Sequence, residues 1–128
     1  MPSTRLETRT GWIGDRHSEV IAAVHRAIVE GILIPQTDRH IRIFEYPEHA
    51  FAVAPHNGPN CTLVEITMFA GRSLEAKRRL YAAMARELEP LGLPRSDLTI
   101  IIKDVPREDW AFGGMSAADM ELNFRIDV

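Results

Sequence analysis

"IPQTDRHIRIFEYP" (Ile34–Pro47) is echoed later in the chain by "LPRSDLTIIIKDVP" (Leu93–Pro106). The two stretches align without a gap. Pro35 matches Pro94, Asp38 matches Asp97, Ile41 matches Ile100, Ile43 matches Ile102 and Pro47 matches Pro106, all at one offset of 59 (94 − 35). An internal repeat fixes architecture before any local reading does. The question is therefore which unit is written twice.

The second copy is the clearer one. "CTLVEITMF" (Cys61–Phe69) is rich in β-branched and apolar residues and reads as a strand. Leu74, Leu80, Tyr81, Met84, Leu88 and Leu91 then recur at helical spacing. Ser73 is placed to cap that helix, and Gly92 and Pro94 to stop it. "LTIIIKDV" (Leu98–Val105) follows as a short apolar strand. The first copy runs in the same order. "STRLETRT" (Ser3–Thr10) alternates weakly, and Asp15 or Ser18 offers a cap for a helix carrying Val20, Ile21, Val24, Ile28 and Ile32. "HIRIFEY" (His40–Tyr46) alternates as a strand. The repeat is thus a β-α-β unit spanning about 2–47 and again 61–106, within a single domain of residues 1–128. Right-handed crossovers place both helices on one face of a common mixed sheet, an α+β fold built from α/β-like repeats. The opposite face keeps apolar residues of "IIIK" and "EITMF" and calls for a partner, so an oligomer is expected. Asn57-Gly58 is a hairpin signal after a short strand at Phe51–Ala54, and "LNFRIDV" (Leu122–Val128) reads as a last strand.

Composition narrows the function. The 128 residues are 45% hydrophobic and 26% charged, as in ordinary soluble domains, and carry a formal charge of −3, which argues against nucleic acid as the partner. "KRR" (Lys77–Arg79) is read as a solvated helix face. One cysteine, Cys61, excludes an internal disulfide and suits a reducing, cytoplasmic setting. No apolar run reaches the roughly 18–20 residues of a membrane span, and the chain start has no secretory apolar region. The five histidines lack a metal-ligand spacing, so neither metal nor other cofactor is expected.

Pro2 carries unusual chemistry once Met1 is removed. It then ends in a free secondary amine, and α-amines titrate near pH ~7.7–8.0. Burial lowers such a pKa and a nearby carboxylate raises it. A proton carrier works best near the operating pH.

A strand beginning at Pro2, followed by a duplicated β-α-β unit, resembles the tautomerase superfamily, whose members use an amino-terminal proline. Within it the chain is most similar to fused-repeat members related to malonate semialdehyde decarboxylase. "IPQTDR" (Ile34–Arg39), "GRSLEAK" (Gly71–Lys77) and "DWAFGG" (Asp109–Gly114) carry the resemblance. It implies catalytic roles for Pro2, Asp38 and Arg72, and a substrate pocket of Arg72, Ser73, Trp110 and Phe112. It also implies a homotrimer. The decarboxylase pattern has two arginines, "RPRS"; here "AGRS" (Ala70–Ser73) keeps only the second. That departure weakens the decarboxylase reading and leaves the tautomerase reading whole.

Physical chemistry agrees in part. Arg72 and Ser73 sit where a strand turns into a helix, and helix starts attract anions. Asp38 is open to two readings, a site carboxylate or a turn-former, because Asp97 repeats it. Trp110 and Phe112 either wall the pocket or pack the core. The expected activity is cofactor-free keto–enol tautomerisation of small 2-oxo carboxylic acids, with Pro2 as base and acid. The alternatives are decarboxylation or hydration of 3-oxo or unsaturated acids by a cationic Pro2, or a non-catalytic binding or signalling trimer.

Overall fold

A computed structural model describes all 128 residues. The first unit is β1 (Ser3–Arg9), α1 (His17–Ile32) and β2 (His40–Tyr46). The second is β3 (Thr62–Phe69), α2 (Leu74–Leu88) and β4 (Leu98–Val105). A small ribbon of β5 (Ala111–Phe112) and β6 (Met115–Ser116) follows. The main sheet runs β2-β1-β3-β4. β1 is parallel to β2 and β3 to β4, while β1 and β3 meet antiparallel at the centre. The sheet is therefore mixed, and the two β-α-β units are joined through their first strands. No helix is long and apolar enough to cross a membrane.

Both helices cover one face. Leu6, Val64, Ile66 and Met68 point from the central strands into a core completed by Val24, Ile28 and Ile32 of α1 and Leu80, Met84 and Leu88 of α2. On α2 the buried stripe is finished by Ala76 and Ala83, while Leu74 and Tyr81, read from the sequence as part of it, are exposed. The helices come close enough that one position must lack a side chain. A Cβ on Gly31 would lie 2.6 Å from both Cα and Cβ of Leu80.

Ser73 caps α2 as expected, its hydroxyl accepting the Ala76 N–H. The start of α1 differs. Its cap position is Arg16, with no side-chain cap, in place of Asp15 or Ser18. Arg16 instead donates to the carbonyls of Trp12 and Leu91, tying the helix start to the other repeat. Two expected strands are absent. Phe51–Ala54 and Leu122–Val128 run without strand pairing. Asn57-Gly58 makes no tight hairpin, because the Gly58 N–H donates to Asp97 Oδ1 (2.7 Å) and the Asn57 side chain to the Ser96 carbonyl. Both residues are thus used for long-range attachment.

The open sheet face is more polar than its sequence suggests. Arg5 pairs with Glu7 and lies 4.8 Å from the Phe44 ring; Lys103 pairs with Glu65. Phe44 and Ile101 remain as exposed apolar groups among them.

Gly31→Ala tests the helix contact. Alanine gains about 1 kcal/mol in helix propensity, but overpacking against backbone costs typically 1–3 kcal/mol. The expected result is a lower urea midpoint at unchanged m-value, and a raised midpoint would refute the close approach.

Candidate active site

β1 begins at one end of the sheet, and parallel pairing sets Ser3 beside His40 at the start of β2. Antiparallel pairing sets Ser3 beside Thr67, near the end of β3. β4, parallel to β3, ends beside Phe69 at Val105. Residues just before β1 and β2, and just after β3 and β4, are thereby gathered at one end. They include Pro2, Asp38, Arg72 and Trp110.

A cavity of about 490 Å³ opens there. Met1, Pro2 and Ser3 form one wall, Arg39–Arg42 a second, and Trp110–Phe112 a third. Pro2 is buried. Trp110 is fixed from several directions. Its ring stacks on Phe112 (6.1 Å, 16°) and meets Phe69 edge-on (5.4 Å), and its indole N–H donates to the Val105 carbonyl (3.2 Å). Phe112 is held by the β5–β6 hairpin, whose two-residue turn is Gly113-Gly114, both at positive φ (59° and 85°). That conformation suits glycine and the twist of a tight hairpin.

In this structure Met1 is still joined to Pro2. The Met1 amine lies 4.0 Å from Asp38 Oδ2. Its pKa is pulled below the ordinary α-amine value, chiefly by burial; the Asp38 carboxylate opposes this and the Arg72 guanidinium adds to it. Asp38 and Arg72 therefore both act electrostatically at the chain start.

Asp38 differs from Asp97 in a way the repeat hides. The backbone turns match, with Asp38 N–H donating to Pro35 O and Asp97 N–H to Pro94 O. Asp97 is buried and its carboxylate is taken by Gly58 N–H. The Asp38 carboxylate faces the amine.

Arg72 lies behind the cavity and does not line it. It is 7% exposed, its Nη1 donates to the Phe69 carbonyl (3.2 Å), and its guanidinium carbon is 5.9 Å from the Phe124 ring centre. Burial pulls its pKa down, with Asp104 opposing. Ser73 is fully engaged elsewhere. Its N–H and hydroxyl both donate to the Val128 oxygen, and the hydroxyl accepts from Ala76. The start of α2 is thus covered by the chain's own last residues. Pro2, Trp110 and Phe112 meet in the cavity, Asp38 and Arg72 bear on the amine from beside it, and Ser73 does not enter it.

Sequence reading missed the basic wall. Arg39, His40 and Arg42 all line the cavity. Three basic residues within four positions were a visible signal, yet only pairing of β2 with β1 brings them beside Pro2. No group of three or more His, Cys, Asp or Glu converges in a way that suits a metal.

The model of a family described as "Tautomerase enzyme" matches residues 38–113, more than half of the chain. The protein belongs to the tautomerase family. Probable tautomerase YrdN of Bacillus subtilis (strain 168) is 26% identical over 119 residues, 88% of this chain and 92% of its own. 2-Hydroxymuconate tautomerase of Comamonas testosteroni is 37% identical over 57 residues, 44% of this chain and 90% of its own. That match is about one repeat long. Among solved structures, FG41 malonate semialdehyde decarboxylase inhibited by 3-bromopropiolate superposes with a TM-score of 0.81 at 27% identity, covering 91% of this chain and 92% of its own. The resemblance read from the sequence motifs holds at the level of the family and its fold.

The contrast between the two aspartates gives a paired test. Asp97→Ala strands the Gly58 N–H and is expected to lower stability by about 1–3 kcal/mol. Asp38→Ala leaves no comparable donor unpaired and is expected to unfold near the parent midpoint. Equal losses in urea melts would mean that Asp38 is a turn-former only.

Proposed function

We propose that this tautomerase-family protein is a cofactor-free keto–enol tautomerase of small 2-oxo carboxylic acids, with Pro2, freed of Met1, as the proton carrier. The observation that carries this reading is the buried chain start at the wall of an aromatic and basic cavity, in surroundings that disfavour a charged amine. Removal of Met1 moves the free amine to the Pro2 nitrogen, one residue along in the same surroundings. A neutral amine there would have its lone pair available to take a proton.

The reaction needs one proton and no net redox change. The Pro2 nitrogen takes the enol hydroxyl proton of the substrate. The C2–O bond becomes a carbonyl, and the C2=C3 electron pair accepts the proton back from the Pro2 ammonium at C3. The reverse path begins with abstraction at C3. Trp110 and Phe112 give the exchange an apolar wall. Arg72 acts through its buried charge, favouring the neutral amine, and Asp38 counterbalances it.

Asp38 also supports a second reading. Had its carboxylate prevailed at the amine, a cationic Pro2 would serve decarboxylation or hydration as an acid. At the Met1 amine burial is the larger influence and the net direction is downward, which supports the base if it holds for Pro2. The exposed Phe44 and Ile101 of the open sheet face support assembly as an oligomer, and we propose the homotrimer implied by the family resemblance.

An NMR titration of protein labelled with 15N-proline and freed of Met1 tests the base directly. The expected pKa lies below the ordinary α-amine value of about 8. Because the working form is the deprotonated one, kcat/KM on an enol substrate rises with pH through that pKa and then levels. Asp38→Asn removes the influence that raises the pKa, so the acid limb moves to lower pH. Pro2→Ala is expected to lower kcat about 10²–10⁴-fold with the fold intact. A pKa above about 8 would favour the cationic acid reading, and unchanged turnover in Pro2→Ala would remove proline from the chemistry.

A further inference from the structure

The hairpin that carries Phe112 is too short to hold itself. β5 and β6 have two residues each, paired Ala111–Ser116 and Phe112–Met115. An isolated two-stranded hairpin is marginally stable at best in water. Phe112 is nonetheless stacked on Trp110, and both rings wall the cavity. One side chain reaches from before the hairpin to beyond it. Arg107 stands in the short helical turn Arg107–Asp109 that precedes Trp110. Its Nη2 donates to the carbonyls of both Ala117 (2.8 Å) and Met120 (2.5 Å). Those two carbonyls are its only hydrogen-bond partners, and its Nε is buried without one. Ala117, fully buried, closes the loop by donating its N–H to the Trp110 carbonyl (2.9 Å).

The repeat supplies an internal comparison. The offset of 59 carries Arg107 onto Glu48 and Trp110 onto Phe51. Glu48–Ala50 makes the same turn as Arg107–Asp109. The Phe51 N–H returns to the Glu48 carbonyl, as the Trp110 N–H returns to that of Arg107. An arginine is therefore not needed to make the turn. What differs is the sequel. No hairpin follows Phe51, and its carbonyl is taken by Arg9 Nε (2.8 Å). The guanidinium stands only in the copy that has a hairpin to hold.

We infer that Arg107 is a positioning residue for the cavity. It ties the segment after the hairpin to the turn before it, and so keeps the Phe112 ring stacked on Trp110 before a ligand arrives. This inference rests on the tautomerase reading of the same site. Hydrogen bonds from an ionised donor are stronger than those from a neutral one, which suits a tie across an otherwise weak hairpin. A wall already in place spares the ligand the cost of ordering it. The ligands that gain are acids whose remainder is a planar aryl or unsaturated group, because such a group lays a flat face on the rings. Arg107 lines no part of the cavity and acts only through Phe112.

A double-mutant cycle between Arg107→Met and Phe112→Ala tests this with the enol of phenylpyruvate. Methionine keeps an unbranched stem and removes the donors. Each single variant is expected to raise KM about 2–10-fold, the worth of one aromatic contact, with a smaller change in kcat. The double variant is expected to match Phe112→Ala, because nothing is left to position. Arg107→Lys keeps a charged donor and is expected to recover part of the loss. Independent, multiplying effects in the double variant would overturn the assignment.

A second measurement needs no turnover. Trp110 and Trp12 give the two indole N–H signals in 1H–15N NMR, and Trp12 is bonded to Thr8 at the opposite end of the sheet. In Arg107→Met the Trp110 signal is expected to shift or broaden, while the Trp12 signal and the urea midpoint stay with the parent. Movement of both indoles, with a lowered midpoint in Arg107→Lys as well, would make Arg107 a general stability residue and refute the proposal. Titrations followed at Trp110 are expected to show a Kd for 3-phenylpropanoate raised about 2–10-fold in Arg107→Met, and one for propanoate unchanged. That pattern without turnover of the enol by the parent would sink the tautomerase reading and keep the role of Arg107. An unchanged Kd for 3-phenylpropanoate would remove that role whether or not the enol is turned over.

Discussion

The antiparallel meeting of β1 and β3 is the constraint on which the rest of the molecule depends. Leu6 stands opposite Val64, and the register runs from Ser3–Thr67 to Thr8–Thr62. Each β-α-β unit is parallel within itself, so joining the units head to tail through their first strands inverts one relative to the other. One end of the sheet then collects the beginnings of β1 and β2 with the ends of β3 and β4. The opposite end collects their complements. Pro2, Asp38 and Arg39 come from beginnings; Arg72 and Trp110 come from ends. A parallel meeting of the two units would have sent Arg72 and Trp110 to the far end of the sheet, away from the chain start.

The far end shows what duplication alone provides. The offset that relates the copies carries Pro2 onto Cys61, Asp38 onto Asp97 and Ile13 onto Arg72. At Cys61 the chain continues in both directions, so its nitrogen is an amide, donating to the Gly58 carbonyl. Asp97 is consumed by Gly58, and Ile13 is a fully buried core side chain where the other copy has a guanidinium. Thr8, Thr62 and the Trp12 indole are joined at that end by a hydrogen-bond chain, Thr62 to Thr8 and Trp12 to Thr8, each at 2.9 Å. The two ends of one repeated scaffold have thus diverged, one built on mutually bonded polar groups and the other on a basic and aromatic cavity at the chain start. A chain start at one end and its absence at the other distinguish them chemically.

Local chemistry in the sequence was readable, and long-range partnership was not. The helical spacing of Leu80, Met84 and Leu88 and the Ser73 cap depend on residues within a few turns of one another, and the repeat of Pro35–Pro47 in Pro94–Pro106 is visible by direct alignment. Each appears where that reasoning places it. Asn57-Gly58 has the residues of a tight hairpin, but Gly58 donates its N–H to Asp97, 39 positions away. Ser73 reads equally well as a cap and as an anion site; only the return of Val128 onto it decides for the cap. Asp38 and Asp97 are indistinguishable as turn residues, and they separate only when the partner of each carboxylate is known. Arg39 belongs to a visibly basic run with His40 and Arg42, but nothing local says what that run faces. Its significance comes from strand pairing that sets β2 beside the chain start.

Two demands on this site can be met by one arrangement of charge. A base needs a neutral amine, and a carboxylate substrate needs cations. Burial already disfavours the protonated amine, and each additional cation nearby disfavours it further. Arg72 adds to that effect from behind the cavity. Arg39 and Arg42 line the cavity itself. Asp38 limits how far the amine falls in the empty site. A carboxylate in that position is therefore compatible with the proposed base: it opposes the downward pull of burial on the amine.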